Sequence, residues 1–402
     1  MQGVACGGVR AGSSPACSGS SATGCNVSTE SIAQMIRESG AARTPLRIAG
    51  RSHWLAAGRP VKAVKPLSLA ADHGVVSYTP GDLTLTVRAG TSLAEIERVT
   101  SEHGQWLPLD PYGDSDGTIG ATIATASSGP LSTAFGTPRD LLLGIEFVTG
   151  GGEVVRAGGK VVKNVAGFDL TRLLTGSWGT LGVITEATVR LYARPKSDRT
   201  VAVRLRGSER QSADFLERLH AAPISPFAVE VVSRSISSKL GLGSQPVCLV
   251  RLGGNEAAVD SQLIELSRLA TTDEVESRVW DALRLVEGNA DFVIRLSGLP
   301  ARLRAAAATI AADSIPGVYT SINIVRGILR IVVAAPAPDS LQDPAPTEVW
   351  LDGPVQGSAV FERLPAETWG TVSRSVVSDP LSQGIKKAYD PLNLLNPGIL
   401  GD

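Results

Sequence analysis

The chain has 402 residues, 43% of them hydrophobic, with 43 glycines, 38 Lys+Arg, 39 Asp+Glu and a formal net charge of -1 at pH 7. That length supplies core for two or three domains. The charge balance leaves no basic excess to attract nucleic acid or an anionic membrane, and no uninterrupted apolar run is long enough to cross a bilayer.

Residues 1–25 are rich in Gly, Ser and Ala and hold Cys6, Cys17 and Cys25. They lack the apolar stretch of a signal peptide and read as a disordered leader or a mis-assigned start. Cys248 stands alone in an apolar strand pattern, and no CxxC spacing occurs, which argues against a zinc ribbon or an iron–sulfur cluster. A reducing cytosol is the natural compartment for such a chain.

The first predicted helix runs from Thr29 to Ser39, capped by Ser28 or Thr29, with Ile32, Met35 and Ile36 as its apolar stripe. A strand at Pro45–Ala49 leads into the polar loop Gly50-Arg51-Ser52-His53. Leu85, Val87 and Ala89 alternate along a strand at Thr84–Ala89. Ser92 and Glu95 then suit a capping box for a helix carrying Leu93, Ile96 and Val99. Residues 117–129, GTIGATIATASSG, have little side chain to bury, which suits close approach of backbone to something large and flat. Leu141–Thr149 and Glu153–Ala157 flank three glycines and read as a hairpin.

Residues 158–187 read GGKVVKNVAGFDLTRLLTGSWGTLGVITEA. Asp169 suits the N-cap of a short helix holding Leu170, Leu173 and Leu174. Glycines follow at 176, 179 and 182, and then an alternating strand at Val183–Leu191. The dinucleotide fingerprint of nicotinamide enzymes runs strand, glycines, helix. Here the order is helix, glycines, strand, so that reading fails.

Beyond Pro195, strands are expected at Thr200–Leu205, Ala228–Val232, Val247–Leu252, Asp291–Leu296, Tyr319–Val325 and Ile328–Ala334. Helices are expected at Ser208–Ala221, Glu256–Ala270, Glu274–Glu287 and Ala301–Asp313. This suits an α+β domain with helices on one face of an antiparallel sheet. Residues 336–346 read as a Pro-rich loop, and the tail carries a short helix followed by Asn396-Pro397-Gly398.

The glycine-rich or small-residue segments at 49–58, 117–129 and 176–182 together suit a long ligand of several parts. Backbone N–H groups in such loops form nests fit for a pyrophosphate, although ordinary turns have the same composition. The run Pro108–Pro130 resembles the flavin-binding core of the vanillyl-alcohol-oxidase/PCMH superfamily. Lys163–Leu170, Gly176–Glu186 and Asn396-Pro397-Gly398 narrow the resemblance to the FAD-binding E subunit family of bacterial glycolate oxidase.

The resemblance covers the chain from about Thr29 onward, strongly in the first half. It implies an α+β fold: a PCMH-type FAD-binding domain of two α+β subdomains, then an α+β cap domain with an antiparallel sheet. The corresponding boundaries are 1–25 for the leader, 26–194 for the FAD domain, 195–378 for the cap and 379–402 for a tail returning to the FAD domain. It also implies non-covalent FAD. By position, Gly50, Arg51, Ser52 and His53 would hold the pyrophosphate. Pro108, Leu109, Thr118, Gly120, Ala121, Thr125 and Gly129 would line the flavin and ribityl chain. Gly182, Val183 and Ile184 would contact the cofactor through backbone. The chain departs from the superfamily pattern at Ala121, where a second glycine is usual.

Oxidation of a hydroxy acid needs a base, cations for the carboxylate and a hydride acceptor. The chain has four histidines, His53, His73, His103 and His220, and none forms the metal motif of related dehydrogenases. Arg251, Arg295 and Arg330 alternate with apolar residues on cap strands and are the candidates for binding a substrate carboxylate; a solvated sheet face gives the same pattern. Two readings stand open. One is an FAD-dependent subunit oxidising glycolate or D-lactate beside a catalytic flavoprotein and an iron–sulfur subunit, cytoplasmic or held at the inner membrane through partners. The other is a non-catalytic flavin-binding or assembly subunit of the same complex; a stand-alone oxidoreductase for another hydroxy acid or alcohol is a third. No metal site is expected.

Overall fold

A computed structural model describes residues 28–401 apart from 54, 64, 160–168, 289, 313–314, 335–356, 371 and 373–378. The leader, most of the Lys163–Leu170 motif, Trp54 and the Pro-rich loop lie outside the described residues.

The first helix, Thr29–Ala41, begins where the Ser28 hydroxyl accepts the Ser31 N–H, and it buries Ile32, Ala33 and Ile36. Strand Leu46–Ala49 pairs in parallel with Lys65–Ser68. Five antiparallel strands then form one sheet, in the order Val75–Thr79, Thr84–Arg88, Val183–Arg190, Leu142–Val148 and Val154–Gly158. The strand that follows the glycine series is therefore the central one. Along it Val183, Ile184, Ala187 and Val189 join a core shared with Leu85, Ile96, Ile119 and Phe147. The tail returns to this core through Leu394 and Leu395, and Leu46 N–H donates to the Leu394 carbonyl at 2.7 Å.

The second half folds on an eight-stranded sheet in the order Asp273–Val275, Ser197–Arg204, Val247–Gly254, Ala228–Val232, Val318–Asn323, Ile328–Val333, Phe292–Ser297 and Ser358–Arg363. All its pairings are antiparallel. Leu216 and Leu219 of helix Glu209–Ala221, Leu266 of helix Glu256–Leu269 and Leu303 of helix Pro300–Ala312 seal one face. Val279, Trp280 and Leu283 of helix Arg278–Arg284 pack on the other. The fold is α+β throughout, with a second antiparallel sheet as expected.

Three local expectations change. The expected helix over Glu274–Glu287 is split, because Asp273–Val275 pairs with Ser197–Arg204 and only Arg278–Arg284 is helical. Residues 117–129 hold a helix, Ile119–Thr125, rather than bare backbone. Helices cover parts of both sheet faces rather than one.

The two halves meet along a seam. Phe227 packs edge-on against Phe135, with centroids 4.9 Å apart, and Trp106 and Tyr192 complete the aromatic group. Gly113 N–H donates to the Arg284 carbonyl at 3.0 Å, and Asn323 donates to Thr133 Oγ1 at 2.9 Å.

Candidate functional site

A cleft opens between the two-stranded and five-stranded sheets of the first half. Arg47, Ile48 and Ala49 come from the first strand, and Gly50, Arg51, Ser52 and His53 from the loop that follows it. Thr118, Gly120, Ala121 and Thr125 come from the short helix and its cap, and Gly182 and Ile184 from the start of the central strand. Ten of the fourteen residues expected to hold a cofactor thus share one cleft. Pro108, Leu109, Gly129 and Val183 lie outside its lining. Leu109 and Val183 are core side chains, and Gly129 packs against Asp110, whose carbonyl oxygen would lie 1.9 Å from an added Cβ.

The glycines of the cleft serve packing within the protein. A Cβ on Gly120 would lie 2.8 Å from the Ala89 methyl, one on Gly182 would lie 2.5 Å from the Phe147 ring, and one on Gly50 would lie 2.4 Å from Thr118 Oγ1. They let the helix and loops settle directly on the ends of the interior strands and so leave the cleft open. The helix donors are already satisfied: Ile119 and Gly120 N–H bind the Thr91 and Ala89 carbonyls, and Ala121 N–H binds Thr118 Oγ1. At its other end the Ile123 and Ala124 carbonyls accept Gly176 and Trp178 N–H at 3.0 and 2.7 Å. The glycine series thus caps the cleft helix.

The donors left for a ligand lie in the first loop. Among the described residues, the N–H groups of Arg51, Ser52 and His53 meet no main-chain acceptor. Arg47 donates through Nη2 to the Leu55 carbonyl at 2.9 Å, while its buried Nη1 has no partner among the described residues. Arg51 reaches the exposed Asp116 at 3.4 Å. Among the described residues no carboxylate lines the cleft, so its lining is electropositive and suits an anion.

Ser52, Trp178 and Asn396, all cleft residues, hold left-handed backbone at φ 69°, 54° and 45°. Strained non-glycine backbone persists where the surroundings over-determine it, which is common at ligand sites. Asn396 shows what fixes it. Its Oδ1 accepts Ile48 N–H at 2.8 Å and its Nδ2 donates to the Trp178 carbonyl at 2.9 Å. One tail side chain thereby ties two walls of the cleft together. The Asn-Pro-Gly sequence marked this residue; Arg47 and Leu55 carried no signal of their own.

His53 and Ala57 also line a second cavity, at the seam, together with Tyr112, Glu287, Glu362 and Arg363. The three arginines expected to bind a substrate carboxylate each hold a protein carboxylate. Arg251 grips Asp198 through Nε and Nη2, the latter at 2.6 Å. Arg295 Nε donates to Glu362 at 3.0 Å, and buried Arg330 bonds both Glu287 and Glu362. Nearby, burial pushes the Glu230 carboxyl up to about 8 despite Asn323 beside it. Burial also pushes Asp110 up to about 7, against the N–H of Leu131. Of the other histidines, His73 faces Glu95 at 3.3 Å, His103 stacks edge-on with Tyr78 and His220 lies in the last turn of a second-half helix. Asp169 acts as a helix cap, accepting Arg172 N–H at 3.1 Å.

The family model described as an FAD binding domain matches residues 25–158. The chain is 35% identical over 232 residues to glycolate oxidase subunit GlcE of Escherichia coli, a match covering 57% of this chain and 66% of that protein. It is 27% identical over 355 residues to glycolate oxidase subunit GlcD of Bacillus subtilis, covering 79% of this chain and 75% of that protein. Among solved structures, alkyldihydroxyacetonephosphate synthase superposes with a TM-score of 0.65 at 16% identity, covering 92% of this chain and 74% of that one. FAD fits the cleft on its chemistry: the pyrophosphate is an anion, and the unpartnered Arg47 Nη1 and the free loop N–H groups are the donors such an anion needs.

Proposed function

From a chain that belongs to the PCMH-type FAD-binding superfamily, and with it to the FAD-dependent oxidoreductases, we propose the FAD-binding subunit of a glycolate-oxidase-type complex. Its reaction is the oxidation of a 2-hydroxy acid, glycolate or D-lactate, to the 2-oxo acid. The observation that carries this reading is the cleft lined by Arg47 and Arg51 and, among the described residues, by no carboxylate, in a chain similar to a glycolate oxidase subunit. FAD, when bound, supplies the hydride acceptor. Arg47 and the Arg51–His53 N–H groups would hold the pyrophosphate. Ala121, Thr125 and Ile184 would lie along the rest of the cofactor, and Asn396 would keep the two walls at a fixed spacing. Boundaries at 26–194, 195–378 and 379–402 go with this reading. So do a catalytic flavoprotein partner, an iron–sulfur subunit, and a cytoplasmic place with attachment to the membrane through partners. No helix among the described residues is long and apolar enough to cross a membrane.

A second reading, an FAD-holding subunit that does not turn over substrate itself, is favoured by the occupied arginines at the seam. Anaerobic mixing of the flavin-loaded chain with glycolate or D-lactate separates the two. Bleaching of the flavin by the chain alone sinks the second reading. Bleaching only when the partner subunits are added sinks self-sufficiency. No bleaching in either case overturns the proposed activity.

A further inference from the structure

We propose that Glu362 is a positioning residue that couples the second half of the chain to the cofactor loop. The proposal rests on FAD binding and not on which hydroxy acid is oxidised. Glu362 sits at a bulge. In the pairing of Ser358–Arg363 with Phe292–Ser297, the register passes from Val293↔Arg363 directly to Ile294↔Phe361. The extra residue of a bulge leaves the ladder, and its carbonyl and side chain are re-aimed. Here the Glu362 carbonyl crosses the seam and accepts Gly58 N–H at 2.8 Å. The carboxylate, 5% exposed, turns the other way and accepts Arg295 Nε at 3.0 Å and Arg330 Nη2 at 2.5 Å.

Both ends of this connection are firmly held. Arg330 also bonds Glu287, and its guanidinium lies 4.1 Å from the centroid of the Tyr112 ring, which belongs to the first half. Tyr112 in turn shares a hydrogen bond with Ser321 at 3.2 Å. At the other end, Gly58 has φ 78°, and a Cβ there would lie 2.7 Å from Ile399 and 3.1 Å from Trp178. Ile399 and Trp178 both line the cofactor cleft. Neighbouring Arg59 donates to the Trp369 carbonyl at 2.8 Å and stacks over its ring. A small shift of Glu362 therefore moves Gly58 against two walls of the cleft. Removing the Glu362 carboxylate takes the acid partner from Arg295 and from one arm of Arg330, which keeps Glu287, so the two arginines would pull the strand to a new position.

The test compares Glu362→Gln with Glu287→Gln, in the full chain. Both remove a carboxylate from Arg330, but only Glu362 bonds the cofactor loop. Glu362→Gln is expected to raise the Kd for FAD by about tenfold or more, within the usual range of coupling between linked sites, while Glu287→Gln lowers the unfolding temperature and leaves the Kd near wild type. Equal effects of the two variants on the Kd, or no effect of Glu362→Gln, overturn the proposal. If Glu362→Gln does not fold, Arg295→Gln serves as the milder variant and is expected to raise the Kd in the same direction. Hydrogen exchange of the wild type gives an independent reading. Peptides over 55–60 and 358–363 are expected to gain protection together when FAD is added; protection of 55–60 alone overturns the coupling.

Discussion

Arg47 concentrates the binding argument in one side chain. A buried guanidinium arm without an acceptor is costly, and an anionic ligand removes that cost. Arg47→Met should therefore weaken FAD by about tenfold to a hundredfold, the loss of a charge-assisted hydrogen bond. Riboflavin, which lacks the pyrophosphate, should bind wild type and variant alike, and the ligand-free variant should be no less stable than wild type. Fluorescence titration with both ligands checks this, and an equal loss for riboflavin would place Arg47 elsewhere on the cofactor. In the sequence Arg47 is one arginine between two apolar residues of a short strand, a pattern that also fits an exposed edge. Gly50 to His53 were legible because their composition is that of a nest. Arg251, Arg295 and Arg330 had the right spacing for a ligand site, but their partners Asp198, Glu287 and Glu362 are distant in sequence.

The short helix Ile119–Thr125 is the element on which the cleft depends. It rests on the end of strand Thr84–Arg88 through Gly120, and it is closed at its far end by the turn that contains Gly176 and Trp178. Gly120→Leu should abolish flavin retention by pushing the helix off Ala89, at an overpacking cost of about 1–3 kcal/mol, and not by filling the cleft itself. Gly120→Ala should already lower the flavin content of the purified protein, because a single methyl lies 2.8 Å from Ala89. Ala121→Gly should not, since Ala121 lines the cleft and the change only removes a methyl. The ratio of visible to ultraviolet absorbance reports each result; full flavin in Gly120→Leu would show that the helix does not shape the site. The small-residue run was legible as a place of close approach. Which surface it approached was not, because the partner is a strand end some thirty residues earlier.

At the scale of the whole molecule, burial raises two carboxyl groups of the seam, Asp110 and Glu230, well above the ordinary carboxylate range. Glu230 is 2% exposed, and burial raises it from an ordinary 4.5 to about 8. Between those values the unfolded chain has lost the proton and the folded chain keeps it. Folding is therefore favoured most below the ordinary value, and that advantage is lost as pH rises toward 8. The unfolding temperature should fall over this interval, and Glu230→Gln should flatten the profile; calorimetry at several pH values checks it. An unchanged slope in the variant would assign the effect to Asp110, which shares the seam and the direction of shift.

The sequence by itself determined most of the local order of elements, the α+β class, the polar loop at Gly50–His53 and the glycine series, because periodicity, caps and turn residues act over a few neighbours. Ten of the residues it singled out for one ligand line one cleft. Only the tertiary structure decided what those residues face. It set the glycines against Ala89 and Phe147, gave the arginines of the second half to protein carboxylates, and closed the cleft with Asn396 from the far end of the chain. The reason is physical: burial and ion pairing depend on groups brought together from distant positions, and no local pattern records which distant group arrives.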